Sequence, residues 1–521
     1  MIIQPGQRLG VHEAWTSTDG RARLQYQADG HLVLLVDGVA RIGSGAFAES
    51  PGYVEMQHDG NLVAYDAQTS PYWASGQYAP GASLLLSTRG LALLTRDEIP
   101  LPDFTLAEDA PPPPPIDRIV RPLVGLARVI GRSFGDETGP RVVHGYSDFG
   151  LVAKFHQDAD AVKRGLDLTS KYQQFVRFMW RLNGWHYTPS GLSCDPSRDS
   201  WWESAVRGLL AACHERGLRV SFTNGDLNNW TDSQAEDGYR RAAQIAASVS
   251  PEVVWLGAGC NELRSVHEQG ETDENIAKLE RWMRIWQQYY PWSLRAITDP
   301  GNQAKDGMIR MSGGPANVAL VHNTRWSSPD AIRRAFNARY ENDPGKPIVE
   351  DEPTGPNGSA TGPHARLVYQ PTEDPAELAA LYTMHVITGQ ASTYFSDPGL
   401  CSREPIDSTW GFKELPALWR RLDIPEDIGQ GTLMPGHRVR DGAPLDVMQS
   451  NALRADAMSL GSYHGYHIGV ISGGSNWRVR AGVDGQVLAM VGTDVVLEGR
   501  VSAGEVILVG GPKPTIVRIV E

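Results

Sequence analysis

Gln57-His58-Asp59-Gly60-Asn61-Leu62-Val63-Ala64-Tyr65, with Trp73-Ala74-Ser75-Gly76 close behind, is the stretch on which the N-terminal fold turns. In an extended chain, side chains alternate faces with a period of two. The spacing therefore predicts one face carrying Gln57, Asp59, Asn61, Val63 and Tyr65, with Leu62 and Ala64 on the other. An amide, a carboxylate, a second amide, a small apolar surface and a phenol in one row can hydrogen-bond adjacent sugar hydroxyls and touch the apolar ring edge. A plain polar strand is the alternative to a sugar-contacting one.

A repeat of about thirty residues surrounds this stretch. Gln27-Ala28-Asp29-Gly30-His31-Leu32-Val33-Leu34-Leu35 is an earlier copy, with His31 in place of Asn and Leu35 in place of Tyr. Leu86-Ser87-Thr88-Arg89-Gly90-Leu91-Ala92-Leu93-Leu94 stands at the third position and lacks every polar contact residue. Trp15-Thr16-Ser17, Ile42-Gly43-Ser44 and Trp73-Ala74-Ser75 recur around the copies. The spaced residues of the Gln57–Tyr65 copy resemble the Gln-x-Asp-x-Asn-x-Val-x-Tyr signature of bulb-type (monocot) mannose-binding lectins at every position. The resemblance implies an all-β β-prism of three repeats with Trp15 and Trp73 inside. It also implies a mannose pocket at Gln57, Asp59, Asn61, Val63 and Tyr65, and an altered second place at Gln27, Asp29, His31 and Val33.

A chain of 521 residues exceeds one hydrophobic core, so several domains are expected. A hydrophobic fraction of 41% marks a globular chain, and a net charge of −13 without a basic run argues against nucleic-acid binding. No apolar run is long enough to span a membrane. Met1-Ile2-Ile3-Gln4-Pro5-Gly6 has no basic segment followed by an apolar one, so no signal peptide is expected. Such a chain is expected to meet external glycans after cell lysis, as a virion part, or by non-standard export. Cys194, Cys213, Cys260 and Cys401 fit no zinc or disulfide framework, so they are expected as buried thiols, a Cys194–Cys213 bridge being the alternative. No metal site is expected.

The region 99–119 contains Pro111-Pro112-Pro113-Pro114-Pro115, a stiff polyproline spacer after the 1–98 lectin-like domain. Over 120–427, short apolar runs alternate with amphipathic helical stretches. The runs begin at Val142, Phe175, Leu218, Val253, Leu294, Val318, Pro347 and Ala391. That alternation predicts an α/β domain, a (β/α)8 TIM barrel, with a doubly wound sheet as the alternative. The last segment, 428–521, shows short alternating runs between glycine turns and predicts a small C-terminal antiparallel β-sandwich.

Chemistry in such barrels sits at the C-terminal ends of the strands. Asn261-Glu262 follows the fourth run, and Glu350-Asp351-Glu352-Pro353 closes the seventh. Two carboxylates at these ordinals resemble clan A glycoside hydrolases, which implies Glu262 as acid/base and Glu352 as nucleophile of a retaining mechanism. Glu350 is the alternative nucleophile; alternation points it the same way as Glu352, which lies nearer the strand end. By the same resemblance Asn261 would bind a sugar 2-hydroxyl and Arg177 would support the nucleophile, since a cation keeps a nearby carboxylate ionised. His322 matches a position beside the nucleophile, and is equally readable as a core imidazole. Pro353-Thr354-Gly355 after Glu352 and Tyr394-Phe395 at the eighth run depart from the clan's habits. Trp180, Trp185, Tyr187, Trp230, Trp326 and Tyr394 are expected around the cleft as stacking platforms, with Asp226 and Asn228 as polar contacts.

The combined expectation is a carbohydrate-active protein whose partners are glycans. The lectin part would hold mannose-type glycan while the barrel hydrolyses a polysaccharide without a cofactor. The alternative is a non-catalytic glycan-binding adhesin or phage tail or fibre component with a degenerate barrel, and a lectin-type bacteriocin is a third reading.

Overall fold

The structure is a computed structural model describing residues 2–17, 20–36, 39–44, 46–75, 80–87, 90–94, 118–182, 192–225, 231–260, 273–298, 313–322, 328–353, 374–394, 410–436, 445–450, 458–471, 477–509 and 513–521. The chain forms two compact units, Met1–Asp117 with Arg240–Pro251, and Arg118–Tyr239 with Glu252–Glu521. Most of the proline-rich segment lies outside the described residues.

In the first unit, three small antiparallel sheets surround one core. Ala14–Thr16, Ala22–Tyr26, Leu32–Val36 and Val39–Gly43 make the first. Arg8–Gly10, Pro51–Met56, Leu62–Asp66 and Pro71–Ala74 make the second, and Ile2–Ile3, Ser83–Ser87 and Gly90–Leu94 the third. Alternation sends Leu24, Leu34, Val54, Met56, Leu62 and Ala64 into the shared core, where Trp15 is also buried and against which Trp73 packs. Burying an aliphatic side chain of this size contributes about 1.5–3 kcal/mol.

The second unit is built on eight parallel barrel strands: β1 (His144–Ser147), β2 (Phe175–Arg181), β3 (Arg219–Asn224), β4 (Val254–Cys260), β5 (Leu294–Thr298), β6 (Ala319–Val321), β7 (Ile348–Glu350) and β8 (Ala391–Tyr394). Their order is β5-β4-β3-β2-β1-β8-β7-β6, with every ladder parallel. The barrel is nearly closed: no ladder joins β5 to β6, but the Asn317 and Val318 amides donate to the Arg295 carbonyl at 3.0 and 3.2 Å across that seam. Helices α1 (Leu151–Gln157) and α2 (Ala159–Tyr172) follow β1, and α3 (Trp202–Glu215) and α4 (Asp232–Val249) follow β2 and β3. Then come α5 (Asp273–Tyr289) after β4, α6 (Ser328–Tyr340) after β6, α7 (Pro375–Ile387) after β7 and α8 (Glu414–Arg421) after β8. The doubly wound alternative is thereby set aside.

Strand alternation divides the barrel residues into two sets. Phe175, Leu294, Leu320, Val349 and Ala391 share one cluster with Phe134, which a three-stranded antiparallel sheet (Arg128–Ile130, Ser133–Asp136, Gly139–Arg141) contributes at the barrel floor. The next residues along the strands, such as Ala319, Val321 and Ile348, pack outward with Ala338 of α6.

A six-stranded and a three-stranded antiparallel sheet share a final core, with Leu460, Val487 and Ile519 from one meeting Leu445, Val479 and Ile507 from the other. These sheets belong to the same compact unit as the barrel. Tyr466 donates its hydroxyl to the Leu422 carbonyl at 2.8 Å, and Arg518 reaches the same oxygen at 3.1 Å. Gly461 permits the approach of α7, because a Cβ there would lie 2.4 Å from a methyl carbon of Ile387. Cys194 and Cys213 are buried free thiols, so they form no bridge.

Candidate active site and sugar pocket

The mouth of the barrel is organised by Arg177, which alternation aims inward on β2 beside Ser147 of β1 and Ser221 of β3. Its side chain is wholly buried, with the guanidinium 4.8 Å from the Phe149 ring centroid. Arg177 Nη1 donates to Glu352 Oε1 at 2.9 Å, and Nε lies 2.9 Å from Asp351 Oδ2. His322, one residue past β6, places Nε2 2.7 Å from Asp351 Oδ1 and Nδ1 3.6 Å from Glu352 Oε2. The Arg177–Asp351 contact is an ion pair, and the His322–Asp351 contact is one when the imidazole is protonated.

Both carboxylates reach this cluster because the chain leaves the ladder after Glu350, its last residue paired with β6 and β8. The Asp351 carbonyl is pinned by the Thr393 hydroxyl at 2.5 Å, by Arg177 Nη1 at 3.3 Å and by Ser147 at 3.5 Å. Pro353 follows, and a residue before proline is held in extended backbone. The expected likeness of Glu350 and Glu352 therefore fails. Glu350 shares the parity of Ile348, which faces α6, whereas Asp351 and Glu352 turn toward Arg177.

Asp351 is the residue that sequence reasoning passed over, as a mere neighbour of the two glutamates. The available signal was parity: Val349 belongs to the barrel interior, and Asp351 lies two residues on. Asp148, at the end of β1, is also buried, and both its oxygens accept from Lys154 Nζ at 2.8 Å. Burial pushes its carboxyl above the ordinary value, against the opposing pull of Lys154.

Two of the expected rim aromatics stand elsewhere. Tyr394 follows the inward Thr393, so its ring faces the helix layer, packs near Tyr382 and Phe412, and donates its hydroxyl to the Trp410 carbonyl. Trp180 likewise lies outward among Trp202, Phe222 and Tyr239, fully buried. Asn261, Glu262, Asp226, Asn228, Trp185, Tyr187, Trp230 and Trp326 lie outside the described residues.

In the N-terminal unit the Gln57–Tyr65 stretch is a hairpin, not one extended strand. Gly60, at φ +88°, sits in the tight turn, with the Gln57 amide donating to the Asn61 carbonyl at 2.8 Å. Such a positive φ favours glycine. Asp59 and Asn61 thus belong to the turn, and the strand starts at Leu62. Asp59 Oδ1 accepts from the Asn61 amide at 3.0 Å, and Asn61 Oδ1 accepts from Ser75 Oγ at 2.8 Å. Gln57 Nε2 donates to the Tyr65 hydroxyl at 2.5 Å, so the first and last members of the motif meet. Val63 and Tyr65 share the face away from the core, opposite Leu62 and Ala64.

The earlier copy keeps the same backbone. The Gln27 amide donates to the His31 carbonyl at 2.9 Å, and Ser44 Oγ accepts from the Leu32 amide at 3.1 Å, as Ser75 does from Leu62 at 3.0 Å. Its side chains differ in consequence. His31 is buried and stacked on Phe47 at 4.8 Å between centroids, with Nδ1 3.2 Å from Ser44 Oγ. Burial pushes this imidazole below its ordinary pKa, against Asp29 nearby. Val33 is buried.

No protein-family model and no curated protein matches the chain. Among solved structures, the chain is similar to a glycoside hydrolase at 13% identity and a TM-score of 0.55, over 76% of this chain and 97% of that one. It is similar to a glycoside hydrolase family 5 protein from Bacteroides vulgatus at 11% identity and a TM-score of 0.54, over 76% and 94% of the two chains. At these identities the likeness shows the fold: the second unit carries the TIM barrel found in glycoside hydrolases. A monomeric monocot mannose-binding lectin from Gastrodia elata matches at 24% identity over 19% of this chain and 91% of its own, with a TM-score of 0.18. So low a score carries no argument, and the N-terminal pocket stands on its own residues.

Proposed function

We propose that the chain is a retaining glycoside hydrolase whose N-terminal unit binds mannose-type glycan. The observation that carries the reading is Glu352 at the end of β7, held at 2.9 Å by the buried Arg177 at the barrel mouth. In this reading Glu352 attacks the anomeric carbon while Glu262 gives its proton to the departing glycosidic oxygen. Water then cleaves the glycosyl ester, with Glu262 taking the water's proton back. Arg177 offsets the nucleophile's charge. Asp351 holds Arg177 and His322 in place without touching substrate. Asn261, Asp226, Trp230 and Trp326 are the proposed substrate contacts in the barrel loops, a role that Tyr394, facing the helices, does not share.

For the N-terminal unit the supporting observation is the meeting of Gln57 with Tyr65 above Val63, beside the turn that fixes Asp59 and Asn61. The residue types and the three-sheet core fit a bulb-lectin β-prism with one equipped pocket. The His31 copy fits a closed one. Gln substitution at Glu262 or Glu352 is expected to abolish reducing-sugar release while the protein still unfolds cooperatively, Glu352→Gln at a lower temperature because Arg177 loses one of its two carboxylates. Full hydrolysis by both variants would remove the mechanism. Binding across a glycan array with no release from any polysaccharide would favour the non-catalytic adhesin instead.

A further inference from the structure

The outer face of the second N-terminal sheet continues past the motif. Register puts Arg8 opposite Glu55 and Glu55 opposite Val63, while Gly10 stands opposite Tyr53 and Tyr53 opposite Tyr65. Leu9, Val54 and Ala64 fill the core, so this second set of residues faces away from it. The side chains touch in sequence. Tyr65 stacks on Tyr53 at 5.0 Å between centroids, the Arg8 guanidinium lies 4.3 Å from the Tyr53 centroid, and Arg8 Nε donates to Glu55 Oε2 at 2.9 Å. An unbroken row thus runs from the Gln57–Tyr65 hydrogen bond to an arginine whose side chain is 59% exposed.

The first sheet offers an internal control. At the same register places it carries Ala14, Gln25 and Val33 in one row and Thr16, Arg23 and Leu35 in the other. It has neither the tyrosine pair nor an ion pair there, and it is also the sheet of the altered copy, in which Phe47 stacks on His31. The platform accompanies the copy with a complete motif and is missing from the His31 copy.

Resting on the reading of the Gln57–Tyr65 hairpin as a sugar pocket, we infer that Arg8, Tyr53 and Glu55 form a second subsite, which takes the next neutral pyranose of a mannose-type oligosaccharide. Guanidinium donors beside carboxylate acceptors suit a vicinal diol, whose hydroxyls both donate and accept. The tyrosine pair adds apolar ring surface for the CH-bearing side of a sugar ring. Glu55 offsets the charge of Arg8, which favours a neutral sugar over a uronate.

The test measures calorimetric affinities of the full chain for methyl α-mannoside, a mannobiose and a uronate-terminated disaccharide. The expected result is a mannobiose preference of about tenfold over the monosaccharide, the worth of one or two added hydrogen bonds. In Arg8→Ala and Tyr53→Leu that ratio is expected to fall to about one. Arg8→Ala alters an exposed side chain, so it reports even if Tyr53→Leu perturbs the sheet. An unchanged ratio in Arg8→Ala overturns the subsite, as does tighter binding of the uronate than of mannobiose. Asn61→Ala and Tyr65→Phe are expected to weaken both neutral sugars together, and their failure to do so would sink the parent pocket instead.

Discussion

Arg177 bears most on the barrel's chemistry, because one buried guanidinium touches two consecutive carboxylates. Removing one partner of a buried ion pair leaves a charge without compensation and costs about 3–5 kcal/mol. Arg177→Met is therefore expected to lose about that much stability in the barrel's urea transition, together with nearly all hydrolysis. Arg177→Lys keeps the charge but not the two-pronged fork, and is expected to retain more stability than activity. Equal losses in the two variants would mean that geometry at this site is unimportant. Asp351→Asn is expected to lower kcat by about tenfold or more with little change in KM, as befits a group that orients Arg177 and His322. The family resemblance pointed to Arg177, His322 and Glu352, which the structure brings within contact of one another. Sequence reading missed Asp351, because alternation was counted from Glu350 to Glu352 and not from the inward Val349 to Asp351, and it misjudged Glu352, which turns inward where Thr393 and Ser147 clamp the Asp351 carbonyl.

At the scale of elements, hydrophobic periodicity read the barrel well. The strands at Phe175, Leu294 and Ala391 start where the apolar runs start, and the other five begin one or two residues later. The floor sheet and α8 went unread because they precede and follow the alternating runs, and α1 and α2 went unread although they lie between the first two runs. Tyr394 and Trp180 were misplaced for one reason: position at a strand end was taken without parity, and parity sends both toward the helices. The N-terminal motif shows the converse error, a period of two extended through a turn. Gly60 is the residue that interrupts it. Gly60→Ala must hold a Cβ at φ +88°, and is expected to cost about 1–2 kcal/mol in the N-terminal melting transition and to weaken mannoside binding. An unshifted transition would show that the turn does not need its left-handed residue.

Across the whole molecule, the barrel and the C-terminal sheets form one unit, so they are expected to unfold together, a point that three separate sequence regions did not reveal. The same unit stores an acid liability. His144, edge-on to Trp419 and Tyr382, and His385 on α7 are fully buried, and burial pushes both imidazoles down to about 3. A histidine whose folded pKa is depressed takes up its proton in the unfolded state first. The stability it gives is complete above the unfolded value near 6.5 and is lost as pH falls toward 3. Each histidine is expected to remove about 2 kcal/mol between pH 7 and pH 5. Urea unfolding of the second unit at the two pH values reads the loss, and His144→Gln with His385→Gln should flatten it. A pH-independent midpoint in the unsubstituted protein would contradict the burial argument.

A retaining glycosidase with Glu352 as nucleophile passes through a covalent glycosyl-enzyme, which can be trapped and located. The full chain would be treated with a panel of 2-deoxy-2-fluoro glycosides, which slow the release of a glycosyl-enzyme, and then digested for peptide mass spectrometry. The account predicts a single glycosyl adduct on Glu352, accumulating with loss of activity and absent from Glu352→Gln. An adduct on Glu350 or Asp351, or hydrolysis that inverts the anomeric centre with no adduct, would contradict it.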